Sequence, residues 1–376
     1  MGDRLKVAHL TTVDMSLALL LSTELQVDVE AGHDVLGISA PGPYVAQIEG
    51  LGVRHVAIPS LSRSWDLRSD LRSARELWRV LRDERPDVLH THNPKTGVIG
   101  RVLGRVAGVP AVVNTCHGLW AGPGDPWRTR ALVLAVEGLA AQLSHAELYQ
   151  NADDERALHR VVRSSKATVV GNGVDLERFR FDEAGRGRLR REWGVSPEDV
   201  LVVGVGRRVR EKGLHELAEV AASLGDRARF VWVGPDDGAK SDRIDPASVN
   251  SLELVGEQSD MPAVYSAADV FVLPTHREGF SRSGMEAAAC GRPMILTDIR
   301  GCRELGRDGE HLLLVPPRAP ADLAAAIHRL LDDADLRDRL GAAAARRAHA
   351  EFDQRRVAQT SLDTYGRVLA RRRGRR

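Results

Sequence analysis

The chain has 376 residues, which is about the length of two domains of ordinary size and too long for one comfortable core. Hydrophobic residues make up 43% of it and charged residues 28%, which excludes wholesale disorder, collagen and coiled-coil arrays. The 53 Lys and Arg residues balance 52 Asp and Glu residues, so the formal charge is only +1. This small net charge argues against a nucleic-acid binder, and an anionic ligand has to be held by local groups.

The three cysteines, Cys116, Cys290 and Cys302, have neither CxxC nor Cys/His ligand spacing. Their pattern disfavours a disulfide framework and a zinc site, and it indicates a reducing, cytoplasmic setting. The longest apolar runs, Leu17–Leu21 and Ala131–Val136, are much shorter than the ~20 residues that span a bilayer. We therefore expect neither export nor a membrane span.

Short β-branched runs alternate with helical patterns along the whole chain, which predicts an α/β protein with doubly wound parallel sheets. The clearest helix runs from Leu67 to Arg85, where apolar residues recur at helical spacing until Pro86 ends the pattern. In the first half we predict strands at Leu5–Leu10, Asp34–Ser39, Val53–Ile58, Val88–His92, Ala111–His117, Ala146–Gln150 and Thr168–Gly171.

A charged stretch rich in Gly and Arg, Glu177–Pro197, interrupts this pattern and marks the predicted domain junction. We expect residues 1–176 to form a doubly wound N-terminal domain and residues 177–353 a second one. The final helical segment, within residues 354–376, is expected to pack on the first domain. In the second half we predict strands at Val200–Gly206, Arg229–Gly234, Leu252–Gly256, Val270–Pro274, Pro293–Thr297 and Leu312–Val315, and helices at Ala319–Leu331, Leu336–Glu351 and Gln354–Arg372.

The chain ends in an arginine-rich tail, Arg371–Arg376, which carries five positive charges. A solvated end is one interpretation of this run. Attraction to an anionic membrane surface is the other, because each basic residue near such a surface contributes about 1 kcal/mol. Both interpretations fit the sequence.

Polar residues at the carboxyl ends of strands are the first candidates for function, because ligands of open parallel sheets bind there. The strand at Val200–Gly206 leads into a loop that holds Arg207 and Lys212 beside the start of a helix. Two cations and helix-terminal N–H groups suit a diphosphate, whereas a solvated charged loop is the alternative for this segment alone. Val209 replaces the third glycine of a dinucleotide fingerprint, which disfavours nicotinamide binding.

A second candidate segment follows the strand at Val270–Pro274 and contains two glutamates, Glu278 and Glu286. On one continuous helix their carboxylates would lie ~80° apart, so we place Glu278 in a loop and Glu286 on the Ala-rich helix that follows. A carboxylate accepts hydrogen bonds from vicinal hydroxyls, which beside phosphate-binding cations indicates a sugar or ribose ligand. The N–H groups over residues 279–283 are placed to meet the phosphate.

Four motifs in this chain resemble, in their order, those of the retaining glycosyltransferases of family 4. The resemblance covers nearly the whole chain and is strongest from residue 168 to residue 317. It implies the GT-B fold, in which two Rossmann-like domains face a cleft and the C-terminal helix returns to the first domain. The motifs are Asn172-Gly173-Val174-Asp175, Gly206-Arg207, Lys212-Gly213 and the pair Glu278 and Glu286.

The resemblance also implies roles for the four charged side chains of the second domain. Arg207 and Lys212 would clamp the diphosphate of a nucleotide sugar and stabilise the charge that grows on the departing oxygen. Glu286 would hold the ribose hydroxyls, and Glu278 would bind the donor sugar. No metal ion and no cofactor would then be required, because the two cations do the work that a metal does elsewhere.

Further contacts to the donor are implied for backbone groups and for one histidine. The amides of Gly279, Phe280 and Ser281 would contact the sugar and the phosphate. The segment Thr115-Cys116-His117-Gly118 matches the family's strand-end histidine, so His117 would face the donor sugar near the bond that breaks.

The implied activity is transfer of a hexose or N-acetylhexosamine from a UDP-sugar to an acceptor hydroxyl, with retention of the anomeric configuration. The implied acceptors are glycans or small molecules, polyprenyl-linked saccharides among them, with association to the inner face of the membrane. The identity of the base as uridine is implied only by what members of the family commonly use. A GT-B epimerase or hydrolase is one alternative, and a non-catalytic nucleotide-sugar-binding subunit is another.

Two segments of the first half bear on the acceptor. Family members usually carry a glycine pair after the first strand, where this chain has Thr11-Thr12-Val13-Asp14-Met15. We therefore expect the first domain to cover the donor differently from the first domain of those members. The segment His90–Gly97 resembles the loop of members that extend lipid-linked saccharides for surface polysaccharides.

Two further residue patterns each allow a functional interpretation, as a metal site or a catalytic thiol, and a purely structural one. His90 and His92 share one face of a strand end, which suits a metal pair, but no third ligand is evident in the sequence and polar lining is preferred. Strand alternation turns Cys116 away from His117, so a buried cysteine is preferred over thiol catalysis.

Overall fold

The structure is a computed structural model and describes residues 4–64, 66–122, 124–238 and 242–374. The chain divides into two compact units. Unit 1 comprises the residues up to Gly171 and those from Gln354 onward, and unit 2 comprises Asn172–Asp353. The boundary thus falls at 171, a little before the expected boundary at 176.

Unit 1 is built on a parallel sheet with strand order β3-β2-β1-β4-β5-β6-β7 in the described part of the chain. Chain order reverses between β1 and β4, so the carboxyl ends of these two strands form the switch point where ligands of such sheets bind. The inner strands are buried along most of their length, as expected for a sheet covered on both faces. The strands are β1 (Lys6–Val13), β2 (Asp34–Ala40), β3 (Arg54–Ala57), β4 (Val88–Thr91), β5 (Ala111–Cys116), β6 (Ala146–Tyr149) and β7 (Ala167–Val169).

Helices flank this sheet, and the clearest of them begins and ends as its sequence predicts. The Asp66 side chain accepts a hydrogen bond from the Ser69 amide at its start, and Arg85 adopts a left-handed conformation just before Pro86 at its end. The helices are α1 (Ser22–Glu30), α2 (Val45–Gly50), α3 (Leu67–Glu84), α4 (Pro94–Val106), α5 (Trp127–Leu143) and α6 (Ala152–Leu158), and a π-helical turn covers Ser16–Leu20.

The last helix of the chain, Gln354–Arg373, belongs to unit 1 and not to the unit that precedes it. Its Tyr365 and Val368 are buried in a cluster with Val7 and Val113 of the sheet. This helix, numbered α13 in chain order, also packs along α1. Arg371 to Arg373 of the basic tail continue α13, and residues 375 and 376 of that tail lie outside the described residues.

Unit 2 repeats the doubly wound pattern, with strand order β10-β9-β8-β11-β12-β13 among its described residues. Its switch point lies between β8 and β11. The strands are β8 (Leu201–Val205), β9 (Arg229–Val233), β10 (Glu253–Gly256), β11 (Val270–Leu273), β12 (Met294–Thr297) and β13 (Leu313–Val315), and the helices are α7 (Glu183–Glu192), α8 (Leu214–Leu224), α9 (Met261–Ala267), α10 (Arg282–Ala289), α11 (Pro320–Asp332) and α12 (Ala334–Glu351).

Each predicted strand is present, which confirms the α/β class and the doubly wound sheets. The expectation that the pattern lapses over 177–197 is wrong, because this stretch contains α7. Leu189 and Trp193 bury the apolar side of α7 against α9, while Arg186 and Arg190 bind Asp269. The sequence pattern hid this helix because arginines occupy positions that face the protein.

Among the described residues, the structure contains no helix that combines the length and the apolar character required to cross a membrane.

Candidate functional site

The switch point of unit 2 brings together the two segments that the sequence singles out. The loop after β8 carries Arg207 and Lys212, and the loop after β11 carries Glu278. Gly213 has a φ of +76°, and a Cβ there would lie 2.1 Å from the carbonyl oxygen of Pro274. A residue with a side chain would therefore hold the two loops apart, and glycine permits their close approach.

Lys212 and Glu278 are direct partners at this switch point. The Nζ of Lys212 donates to Oε1 of Glu278 at 2.6 Å, and the two side chains are only 15% and 14% exposed. The structure thus brings the predicted phosphate cation onto the predicted sugar carboxylate. An ammonium group has three donors, so Lys212 can hold Glu278 and still offer hydrogen bonds to a ligand.

Arg207 is more open to solvent, at 41% side-chain exposure, and it binds a carboxylate that sequence reasoning did not assign to it. Its Nη1 donates to Oδ2 of Asp237 at 2.7 Å. Neighbouring Asp236 is bound in turn by Arg243 and Arg208. The acidic pair after β9 therefore neutralises and orients arginines of this loop region.

Glu286 lies on α10, as predicted, and Glu278 lies in the preceding loop. The Tyr265 hydroxyl donates to Oε2 of Glu286 at 2.6 Å, and Nε of Arg282 donates to Oε1 at 3.2 Å. Burial raises the pKa of Glu286, although Arg282 and Tyr265 act against that rise. Tyr265 was missed by sequence reasoning because it lies on α9, distant in the chain.

The backbone between Glu278 and α10 is only partly available for a ligand. The Ser281 amide donates to the carbonyl of Gly301 at 3.2 Å, and the Ser281 side chain accepts from the Gly284 amide to begin α10. A ligand that binds the Ser281 amide, as the sequence leads us to expect, would therefore have to replace this internal hydrogen bond. The Phe280 ring is buried against Phe352, with 5.8 Å between ring centroids.

In unit 1, His117 follows the carboxyl end of β5, as predicted. Its Nε2 lies 3.0 Å from Nδ1 of His92, while its Nδ1 is buried and has no hydrogen-bond partner in the structure as described. Burial lowers the pKa of His117 to about 4. The imidazole is therefore neutral near pH 7 and can accept or donate one hydrogen bond at Nδ1.

His90 of β4 and His92, which follows this strand, have ligand-type neighbours that the sequence did not reveal. His9 of β1 stands in register with His90 of β4, and its Nδ1 lies 3.2 Å from Nε2 of His92. Oε1 of Glu24, on α1, lies 3.3 Å from Nδ1 of His90. Contrary to the sequence expectation, His90 and His92 do have further ligand-type neighbours, because strand pairing brings His9 and helix packing brings Glu24.

The segment that replaces the family's glycine pair continues β1 as far as Val13. Just beyond it, the Asp14 carboxylate accepts hydrogen bonds from the amides of Tyr44 at 2.7 Å and Met15 at 2.8 Å. A side chain therefore fixes the loop at this switch point. Next to His117, burial holds the pKa of the Cys116 thiol well above its ordinary value, which keeps it protonated and disfavours thiol catalysis.

Comparison with known proteins then assigns the family. Residues 198–333 match the family described as "Glycosyl transferases group 1", and residues 19–173 match the "Glycosyl transferase 4-like domain". The chain is 32% identical over 261 residues to the UDP-Gal:alpha-D-GlcNAc-diphosphoundecaprenol alpha-1,3-galactosyltransferase of Escherichia coli, covering 66% of this chain and 67% of that one. The chain belongs to glycosyltransferase family 4.

Other relatives of this family 4 member are similar to it over a greater share of the chain. The capsular polysaccharide biosynthesis glycosyltransferase CapM of Staphylococcus aureus is 27% identical, with 97% of both chains covered. Among solved structures, the sucrose-phosphate synthase of Thermosynechococcus elongatus superposes with a TM-score of 0.85 at 21% identity, covering 98% of this chain and all of that one. Anabaena HepE in complex with UDP-glucose has a TM-score of 0.82 at 18% identity and covers 96% of this chain and all of its own. These neighbours confirm the GT-B fold.

Proposed function

We propose that this family 4 glycosyltransferase moves a hexose or an N-acetylhexosamine from a UDP-sugar to an acceptor hydroxyl, with retention of the anomeric configuration. The observation that carries the proposal is the contact between Lys212 and Glu278 at the switch point of unit 2. This contact presents a cation and a carboxylate side by side, which suits a ligand that carries both phosphates and sugar hydroxyls. The names of relatives support uridine, since one uses UDP-Gal and HepE was crystallised with UDP-glucose.

Each charged group of unit 2 then has a task in donor binding. Lys212 and Arg207 hold the diphosphate, and Glu278 holds a hydroxyl of the sugar. Glu286 binds the ribose hydroxyls. Its two carboxylate oxygens are hydrogen-bond acceptors, and Tyr265 and Arg282 hold them in position. The Phe280 amide, which precedes α10, adds a neutral donor near the phosphate.

The reaction joins the acceptor oxygen to the anomeric carbon on the face from which UDP departs. The bond between that carbon and the β-phosphate oxygen breaks, and the acceptor's proton passes to the departing oxygen, so that UDP and a glycoside are formed. Arg207 and Lys212 stabilise the charge that develops on UDP. We propose on this basis that no metal ion bridges the diphosphate and that added Mg²⁺ or Mn²⁺ does not raise turnover.

We also propose that His117 acts on the sugar during transfer. Its neutral, buried imidazole has an uncommitted Nδ1, which suits a hydrogen bond to a sugar hydroxyl. The proposed acceptor is a lipid-linked saccharide, which is the class named in the Escherichia coli relative and in a Campylobacter jejuni relative that is 25% identical over 345 residues. The basic end of α13 is consistent with attraction to an anionic membrane surface.

Transfer is tested with UDP-glucose, UDP-galactose, UDP-N-acetylglucosamine and UDP-N-acetylgalactosamine, each with and without a diphospholipid-linked N-acetylglucosamine. Release of UDP only when the acceptor is present supports transfer, and NMR of the product then reports the anomeric configuration. Consumption without an acceptor would instead support an epimerase or hydrolase. Binding without consumption would support a non-catalytic subunit.

The diphosphate assignment is tested in the same assay with a double variant, Arg207→Ala with Lys212→Ala. Each charged contact contributes about 1.5–3 kcal/mol, so turnover should fall on the order of a hundredfold or more. Arg210→Ala is the control for each of the two substitutions, because this exposed arginine lies in the same loop and its loss removes one positive charge, as each of them does. A double variant within about threefold of the parent would refute the assignment.

A further inference from the structure

Four side chains at the switch point of unit 1 have the composition of a metal site. His9, Glu24, His90 and His92 each present one ligand atom, and these atoms all lie within 4.8 Å of one another. His9 lies on β1, Glu24 on α1 and His90 on β4, and His92 directly follows β4. We propose that they bind one divalent cation of the Zn²⁺ class as a buried structural site, apart from the donor-binding groups of unit 2.

The distances between the ligand atoms fit a small tetrahedral cation. Nδ1 of His9 lies 3.2 Å from Nε2 of His92, and Oε1 of Glu24 lies 3.3 Å from Nδ1 of His90. In a tetrahedral zinc site with bonds of about 2.0–2.1 Å, neighbouring ligand atoms are about 3.4 Å apart. Two edges of the tetrahedron are thus nearly in place, and the remaining pairs of ligand atoms, which lie within 4.8 Å of one another, must move closer on binding.

Each histidine uses its other ring nitrogen in the way that metal-bound imidazoles do. Nε2 of His9 lies 2.8 Å from Oδ2 of Asp28, which gives a carboxylate–imidazole pair. Nε2 of His90 lies 2.7 Å from the Thr115 hydroxyl, and Nδ1 of His92 faces His117. Such outer partners fix the tautomer and orientation of a ligating ring.

The cluster also contains a carboxylate oxygen without a well-aligned hydrogen bond. Oε1 of Glu24 is buried, and its contact with Nδ1 of His90 at 3.3 Å lacks good hydrogen-bond geometry. Glu24 and the fully buried Asp28 bring two acidic groups to a cluster whose other ligand-type members are histidines. A divalent cation would give Oε1 of Glu24 a close partner and balance its charge, while Asp28 stays paired with His9.

Tyr365 is the competitor of a cation at His90. Its hydroxyl lies 2.7 Å from Nδ1 of His90, the atom that would bind the metal. A cation must displace this hydrogen bond. Removal of the hydroxyl should therefore strengthen metal binding, whereas it would create no metal affinity in a purely hydrogen-bonded histidine cluster.

The proposal is tested on the full chain, freed of any histidine tag, stripped with a chelator and titrated with Co²⁺ and then with Zn²⁺. We expect one Co²⁺ per chain with the strong visible absorption of tetrahedral coordination, displaced by Zn²⁺. Glu24→Gln, which keeps the side-chain shape, should weaken Zn²⁺ binding at least tenfold, and Asp28→Asn should weaken it about 10–100-fold. Tyr365→Phe should bind Zn²⁺ at least as tightly as the parent.

His159→Ala is the control, because His159 is exposed on the same unit and outside the cluster. Circular dichroism confirms that each variant is folded. The proposal is overturned if the parent shows no tetrahedral Co²⁺ spectrum, or if Glu24→Gln and Asp28→Asn bind Zn²⁺ as tightly as His159→Ala does. This readout uses no sugar donor, so its failure is separate from failure of the proposed transferase activity.

Discussion

At the scale of single residues, Asp269 holds the amino end of β8 in place. Its Oδ2 accepts from the Leu201 amide at 2.8 Å and from Nη1 of Arg190 at 2.8 Å, and its Oδ1 accepts from Nη2 of Arg186 at 2.6 Å. Burial by itself would raise the pKa of Asp269, but these donors bring it below the ordinary value. The ionised carboxylate therefore stabilises the folded state.

Replacement of Asp269 by asparagine should lower the free energy of unfolding at pH 7 by about 3 kcal/mol, because two partly buried arginines lose their anion. Since the pKa is lower in the folded state, the stabilisation is present above the unfolded-state pKa near 3.9. It is lost as the pH falls through the folded-state pKa. Urea unfolding at pH 7 and at about pH 3, below the unfolded-state pKa, should thus show a difference from the parent that shrinks at the lower pH.

The exposed pair of Asp332 with Arg227 supplies the matched control for this prediction. Asp332→Asn removes the same charge from the same unit and should cost less than about 1 kcal/mol. A cost for Asp269→Asn that equals the control, or that does not change with pH, would contradict the role given to Asp269.

The sequence indicated Arg207, Lys212, Glu278 and Glu286 as candidate site residues, because each lies in a short motif with a recognisable spacing. It did not identify their partners, of which Asp237 is an example. Partners come from other strands and helices, and chain order carries no signal for contacts made only by folding. The same limit hid the buried cluster in which Arg101 binds Glu137 and Glu147.

At the scale of elements, the loops after β8 and β11 meet because Gly213 has no side chain. Gly213→Ala should lower stability and weaken UDP binding, since the Cβ would lie 2.1 Å from the Pro274 carbonyl and move Lys212 from Glu278. We expect a loss of at least tenfold in UDP affinity, measured by calorimetry, because one charged contact contributes about 1.5–3 kcal/mol.

Gly309→Ala separates this steric effect from backbone strain. Gly309 also has a positive φ, at +72°, but a Cβ there would meet open space. The control should therefore cost only about 1–2 kcal/mol of stability and leave UDP affinity unchanged. Equal effects of the two substitutions on UDP binding would show that contact between the loops is not required.

Secondary structure was the most predictable level, since the periodicity of apolar residues reports which face of an element is buried. α3 was foreseen because one face is apolar and Pro86 follows it. α7 was not, because buried arginines such as Arg190 replace the apolar side chains that the pattern requires. The length of β1 was also underestimated, because Thr11 and Thr12 carry no apolar alternation.

At the scale of the whole molecule, α13 links the end of the chain to the sheet of unit 1. Tyr365 is fully buried there and Val368 nearly so. Tyr365→Ala should cost about 3–5 kcal/mol, because a large buried ring is lost and a cavity remains. Hydrogen exchange should show weaker protection for β1, β4 and β5, while the strands of unit 2 keep theirs.

Gly366→Ala is the control for this prediction, since a Cβ at this exposed helical position meets open space. It should leave protection in unit 1 unchanged or slightly raised. A uniform loss of protection across both units in Tyr365→Ala would contradict the assignment of α13 to unit 1 alone.

Calorimetry with two ligands tests whether Arg207 and Lys212 hold a diphosphate, as we propose. Uridine lacks the diphosphate, so the ratio of UDP affinity to uridine affinity isolates the contribution of these cations. We predict that UDP affinity in the Arg207→Ala, Lys212→Ala double variant falls on the order of a hundredfold, while uridine affinity changes less than about threefold. UDP binding within about threefold of the parent, or an equal loss for both ligands, would contradict the account.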